Sequence, residues 1–305
     1  MATESGSVDR DRQAKTLRRG LLAPLTGLGQ IMFQNSALTG TFFLTGIAVV
    51  SPLMAGGAAL GAIVGTLTAY LLRYDTGEIC DGIYGFNAAL VGIALFSYRQ
   101  PQILTFVLAI AAPAVSAMLT RAMRQRIPFP TYTTPFIITT WLALFVAQEL
   151  QIPVVVHPPQ TQPQTLDLAS AVVNGISEVM FQANVLTGAL FVVGILLSSW
   201  KAALWAVVGS WLGLLIGLSH QAPELNLSLG IYGYNASLAA MALPLYRRSF
   251  LLPVMGAVVS VPITEKFPLL GLETLTAPFV LASWIVIVLD KIDTKLYGRE
   301  PKAAE

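Results

Sequence analysis

Apolar residues run along this chain in long unbroken blocks, not in the short alternating strings that mark barrel strands. Five blocks fill the first half, at about 21–50, 53–72, 82–98, 102–120 and 131–148. Five more fill the second, at about 171–200, 202–219, 228–246, 249–264 and 274–290. No charge occurs in the 53 positions between Arg19 and Arg73, and other uncharged stretches run from Ala202 to Ala222 and from Leu225 to Tyr246. A helix needs about 20 mostly apolar residues to cross a bilayer, whereas a barrel strand alternates over about 10. The pattern predicts an all-α, polytopic membrane protein with ten transmembrane helices. The first and sixth blocks are too long for one straight span and carry glycine and proline between them, so breaks or tilts are expected there.

Composition agrees: 55% of the 305 residues are hydrophobic and only 11% charged, against about 25% charged in a soluble domain. Mean hydropathy is +0.68. The few charges report topology. With the N-terminus in the cytoplasm and one crossing per block, 16 of the 18 Lys and Arg residues fall inside, and only Arg99 and Lys266 fall outside. That is the expected bias of positive charge, and it places both termini in the cytoplasm of a multi-pass cell-membrane protein. Residues Met1 to Arg19 form a polar basic tail with no cleavable leader. The single cysteine, Cys80, excludes an internal disulfide.

The chain repeats itself. "GIYGFNAAL" at Gly82 to Leu90 returns as "GIYGYNASL" at Gly230 to Leu238, seven of nine positions identical at a spacing of 148. "MFQNSALTG" from Met32 and "MFQANVLTG" from Met180 keep that spacing, as do Tyr98-Arg99 and Tyr246-Arg247. "TTPF" ending at Phe136 and "TAPF" ending at Phe279 are 143 apart, as are Trp141 and Trp284. Each half holds an odd number of crossings, so the second copy lies upside down relative to the first. Such inverted repeats place a solute site near the midplane where the halves meet. The expected organisation is a cytoplasmic tail over 1–19, a first inverted repeat over 20–150, an external linker over 151–169, a second inverted repeat over 170–292 and a cytoplasmic tail over 293–305.

Several repeated residues do not belong in lipid. Glu178 stands in an apolar stretch, and a charge at a helix centre costs about 2.5–3.5 kcal/mol on insertion scales. Its repeat mate is the neutral isostere Gln30, so both copies carry an acceptor at one position. Phe33 and Phe181 follow at i+3, the same helical face if the helix continues, and Gln34 and Gln182 follow at i+4. Phe86 and Tyr234 form a second aromatic pair, with Leu90 and Leu238 four residues on. Thr133 and Thr276 precede the two proline-bearing motifs. Acceptors, hydroxyls and flat aromatic faces with few fixed charges suit a small, flat, neutral solute rich in N–H donors, such as urea or a related amide. No phosphate-binding loop, metal-ligand set, membrane-embedded nucleophile or buried histidine occurs, which argues against an ATP-driven pump, an enzyme and an ammonia channel. No cofactor and no nucleic-acid partner are expected.

These blocks, taken together over roughly Leu21 to Asp290, resemble the urea transporter family. The resemblance implies a homotrimer whose protomers each carry a pore, with ten transmembrane helices and two re-entrant half-helices, expected near 76–83 and 224–231. It implies that Gln30 and Glu178 bind the solute at the two ends of a filter, that Phe33, Phe86, Phe181 and Tyr234 form flat slots, and that Thr133, Thr276, Leu90 and Leu238 line the middle. Tyr234 departs from the family's phenylalanine. The reading is passive, channel-like urea transport in the lipid bilayer, with a proton-coupled carrier, or a channel for short amides, ammonia or water, as the alternatives.

Overall fold

The computed structural model describes residues 17–156 and 165–298. Residues 1–16 of the expected N-terminal tail, 157–164 of the expected external linker and 299–305 of the expected C-terminal tail therefore lie outside the described residues. The first half contains α1 (17–30), α2 (Ala37–Val50), α3 (Pro52–Leu71), the single turn α4 (Thr76–Cys80), α5 (Phe86–Tyr98), α6 (Ile103–Arg126) and α7 (Thr134–Glu149). The second contains α8 (Leu168–Ser177), α9 (Val185–Ser198), α10 (Trp200–Ser219), the single turn α11 (Glu224–Ser228), α12 (Gly233–Tyr246), α13 (Leu251–Lys266) and α14 (Ala277–Tyr297). Among the described residues there are no strands, only an isolated bridge between Arg99 and Val154. Every apolar block of the sequence coincides with helix. Helices α3, α6 and α10 are each long and apolar enough to cross a membrane.

Helix starts follow local chemistry, and they follow it twice. Ser36 and Asn184 cap α2 and α9 by accepting from Thr39 N and Thr187 N. Ser51 and Ser199 cap α3 and α10 by accepting from Met54 N and Ala202 N. Such caps satisfy backbone donors that a helix start leaves open. Small residues then let helices close up. Gly61 of α3 faces α5 so tightly that a Cβ there would sit 2.2 Å from the Ala88 carbonyl oxygen.

The breaks expected in the first and sixth blocks are present. The helix Leu168–Met180, which is α8 with one 3-10 turn, meets α9 at a bend of 76°. Helix α1 likewise stops at Gln30 before a turn over 31–33. Helices α1 and α8 thus stop at equivalent positions of the repeat, Gln30 and Glu178. Segments α4 and α11 are five-residue helices at the two places where half-helices were expected, near 76–83 and 224–231.

Contacts between the halves are reciprocal. Thr39 Oγ1 donates to Gly194 O and Thr187 Oγ1 donates to Gly46 O, both at 2.8 Å. Trp141 Nε1 donates to Glu273 O at 2.8 Å and Trp284 Nε1 to Pro130 O at 2.9 Å. Phe43 and Phe191 pack with ring centroids 4.7 Å apart. Contacts of the form i to j′ and i′ to j define a twofold relation. The backbone obeys it as well: Phe33 and Phe181 share φ 62°, Tyr132 and Leu275 φ 45°, Arg73 and Gln221 φ 56°. Left-handed geometry is uncommon for side-chain-bearing residues, so these matched pairs mark bends that both copies retain.

Candidate functional site

The site is assembled where the two broken helices stop. Gln30 ends α1, half-buried, and its Nε2 donates to the Asp81 carbonyl at 2.9 Å. Its Oε1 is left as the group to offer outward. Glu178 caps α8 and opens into a cavity of about 270 Å³. Phe181, Tyr234, Leu275 and Thr276 share that cavity, with Tyr98 and Glu273 near its rim.

The aromatic residues cross between the halves. Phe33 meets Phe279 at 6.0 Å and Tyr132 at 6.2 Å, both edge-on. Phe181 meets Phe136 at 6.5 Å and Tyr98 at 5.8 Å, again edge-on. The helical-face argument for Phe33 and Phe181 does not hold, because the chain leaves the helix at Gln30 and Glu178. Their rings reach the site through the left-handed bend instead. Gln34 and Gln182 do not join them: both are buried and donate to Met32 O and Met180 O, which tightens the two turns.

Between the aromatic groups lie the threonines. Thr133 and Thr276 stand at the starts of α7 and α14, 2% and 3% exposed, with Oγ1 atoms 2.7 Å apart. Leu90 and Leu238 are fully buried in the same core. Phe86 starts α5, half-buried. Tyr234 is buried, and its phenol donates to the Leu275 carbonyl at 2.7 Å. Glu178, Phe181, Tyr234 and Thr276 thus share one cavity, and the Thr133–Thr276 bond links it to the first repeat.

Two residues of the repeated phrase, Asn87 and Asn235, were passed over as site residues in the sequence. Both are fully buried. Asn87 Oδ1 accepts from Phe136 N at 3.3 Å and Asn235 Oδ1 accepts from Phe279 N at 3.2 Å. Their amides reach Thr120 Oγ1 at 3.4 Å and Thr264 Oγ1 at 3.3 Å. Each asparagine thus fixes the first turn of the helix that presents a site threonine. Their signal was the retention of a polar amide in both copies of an apolar phrase. The phrase's first glycines have a separate reason. Gly82 and Gly230 adopt φ +74° and +79°, and a Cβ would lie 2.4 Å from Gly27 N or 2.2 Å from Gly175 N. Only glycine allows the phrase to lie against α1 and α8 in that conformation.

Chemically, the arrangement offers hydrogen-bond acceptors at two ends, aromatic walls and a pair of hydroxyls in between. Among the described residues no cluster of His, Cys, Asp and Glu could hold a metal.

A family model described as "UT: Urea transporter" matches residues 21–291. The chain is similar to Urea transporter 1 of Ovis aries, with 30% identity over 299 residues, 90% of this chain and 78% of the relative. It is also similar to Urea transporter 1 of Rattus norvegicus, with 33% identity over 236 residues, 72% of this chain and 61% of the relative.

Proposed function

The chain belongs to the urea transporter family, and on that premise we propose that urea passes through it passively along the series of groups from Gln30 to Glu178. The observation that carries this reading is the cavity of about 270 Å³ that Glu178, Thr276, Phe181 and Tyr234 line together. A urea molecule leaving water loses hydrogen bonds on every N–H, and leaving such groups unpaired costs about 1–3 kcal/mol each. Acceptors on Gln30, Glu178 and the two threonines offset that loss. The rings of Phe33, Phe86, Phe181 and Tyr234 cover the flat faces, where no hydrogen bond is needed. Buried Leu90 and Leu238 support the narrow middle. Conduction needs sites favourable enough to enter and weak enough to leave, which single acceptors spaced along a path provide.

Assembly as a homotrimer, with both termini cytoplasmic, belongs to the same proposal. The family resemblance supports the first. The placing of 16 of 18 basic residues on one side supports the second.

Stopped-flow urea efflux from liposomes tests the reading. Glu178→Gln keeps an acceptor and is expected to keep flux. Glu178→Ala removes it and is expected to lower flux by at least about tenfold, the equivalent of about 1.4 kcal/mol in the barrier. Unchanged flux in the alanine variant overturns the assignment. Urea accumulation driven by an imposed proton gradient points instead to a coupled carrier.

A further inference from the structure

We propose that a groove adjoining the solute cavity, which shares Tyr98 and Glu273 with it, holds a phospholipid whose headgroup pairs a phosphate with a primary ammonium, as phosphatidylethanolamine does. The groove has a volume of about 430 Å³ and is lined by Arg99, Trp141, Phe145, Gln148, Val154 and Glu273, among others. The repeat provides an internal control on Arg99. Its mate Arg247 is neutralised, with Nη1 2.5 Å from Asp290 Oδ1. The spacing of 143 that relates the later blocks puts Ala147 where a counterpart of Asp290 would stand. Arg99 instead donates to two backbone carbonyls, Ile152 O at 2.9 Å and Leu144 O at 3.3 Å. Its Nε–H is buried with no acceptor, and among the described residues it forms no ion pair.

A half-buried guanidinium without a carboxylate is costly unless another anion pairs with it. Its planar fork matches a phosphate. The rest of the groove says which phosphate. Phe145 and Val154 are 60% and 56% exposed, a surface for acyl chains. Trp141 suits the level where chains meet headgroups. Glu273, where the groove meets the solute cavity beside Tyr98, supplies an acceptor for an ammonium, so the groove as a whole is balanced for a zwitterion and not for a bare anion. Arg99 follows α5 at its end and is one of two basic residues that the charge pattern sets opposite the rest, which assigns the lipid to the outer leaflet.

Native mass spectrometry of the full chain tests this, after reconstitution in equimolar phosphatidylethanolamine, phosphatidylglycerol and phosphatidylcholine and stepwise delipidation. The expected result is retention of phosphatidylethanolamine over the other two by about tenfold or more. Arg99→Met is expected to lose retained lipid, while Arg99→Lys retains it more weakly because a point charge replaces the fork. Glu273→Gln, which leaves its backbone bond with Trp141 in place, is expected to keep phospholipid but bring the preference over phosphatidylglycerol down to about one. Equal retention in wild type and Arg99→Met, or an unchanged preference in Glu273→Gln, overturns the proposal. So does an Arg99→Met variant that changes only its oligomeric mass, since the groove then belongs to a second copy of the chain.

Discussion

Thr133 and Thr276 hydrogen-bond to one another across the two halves, hydroxyl to hydroxyl at 2.7 Å. They are equivalent residues of the repeat, so the twofold relation passes between them. On the proposed path, a solute moving from the Gln30 side to the Glu178 side takes the place of this bond. The exchange is inexpensive, because a typical intramolecular hydrogen bond contributes only about 0.5–1.5 kcal/mol net. Each hydroxyl can turn from its partner to the solute. Thr276→Val keeps the shape and removes that option, and also leaves Thr133 without its partner. Urea flux in liposomes is expected to fall by about tenfold, with Thr276→Ser restoring most of it. Equal flux in valine and wild type would show that the pair is packing alone.

Asn87 and Asn235 hold the threonine-bearing turns, so their loss is expected to act through position. Asn87→Ala leaves Phe136 N without its acceptor and opens a buried space, a cost of about 1–3 kcal/mol. Thermal unfolding in detergent is expected to fall by a few degrees, together with flux. Asn235→Ala is expected to match it, since the two sets of bonds are alike. A variant with normal melting and lost flux would make the asparagine a direct solute ligand.

Much of this was legible in the sequence, and the reasons are physical. Uncharged blocks identify spans because lipid penalises charge, and a repeated Gln or Glu in such a block is expensive enough to attract notice. The break after Gln30 was foreseen only as a tendency. Nothing in "QIMFQ" marks Phe33 as left-handed, since phenylalanine has no preference for φ 62°; the packing of its ring against Tyr132 and Phe279 holds it there. For the same reason the i, i+3 argument placed Phe33 on a helix it does not occupy.

Glu78 yields a pH prediction away from the passage. It accepts from Tyr84, and from Arg121 at 3.2 Å and Arg124 at 3.0 Å. Burial pushes its carboxyl up, but the Tyr84 bond and the two guanidiniums outweigh that and hold it below its ordinary 4.5. A depressed folded value means stability that is fully present above 4.5 and lost as pH falls through the lower folded value. Melting temperature measured from pH 7 downward is expected to drop in that acid window. Glu78→Gln is expected to start lower and to drop less over it. Parallel curves would locate the acid sensitivity elsewhere.

Tyr234 departs from its mate Phe86 by one oxygen, and that oxygen occupies the Leu275 carbonyl. Tyr234→Phe frees the carbonyl and adds room beside Phe181. Urea flux is expected to stay within about threefold of wild type. Discrimination against N-methylurea is expected to weaken by at least about twofold, since one methyl in a fitted pocket is worth about 1–3 kcal/mol. An unchanged ratio would place the phenol outside the path.

The two ends of the series carry different acceptors, and their surroundings predict that they are not interchangeable. Gln30 uses its N–H on the Asp81 carbonyl. The Asp81 carboxylate lies beside it, accepting from Arg19 at 2.8 Å and Asn35 at 3.0 Å. A carboxylate in place of Gln30 has no hydrogen to give that carbonyl and adds a second negative charge near Asp81. Gln30→Glu is therefore expected to lower urea flux by about tenfold or more and to recover in part with acidification, as protonation returns a donor. Glu178→Gln meets no such conflict, because among the described residues no hydrogen bond to the Glu178 side chain has to be replaced. The paired measurement is flux against pH for both variants: loss in the first with retention in the second follows from this asymmetry, and equal loss in both would mean that charge at either end, rather than the orientation of an acceptor, governs entry.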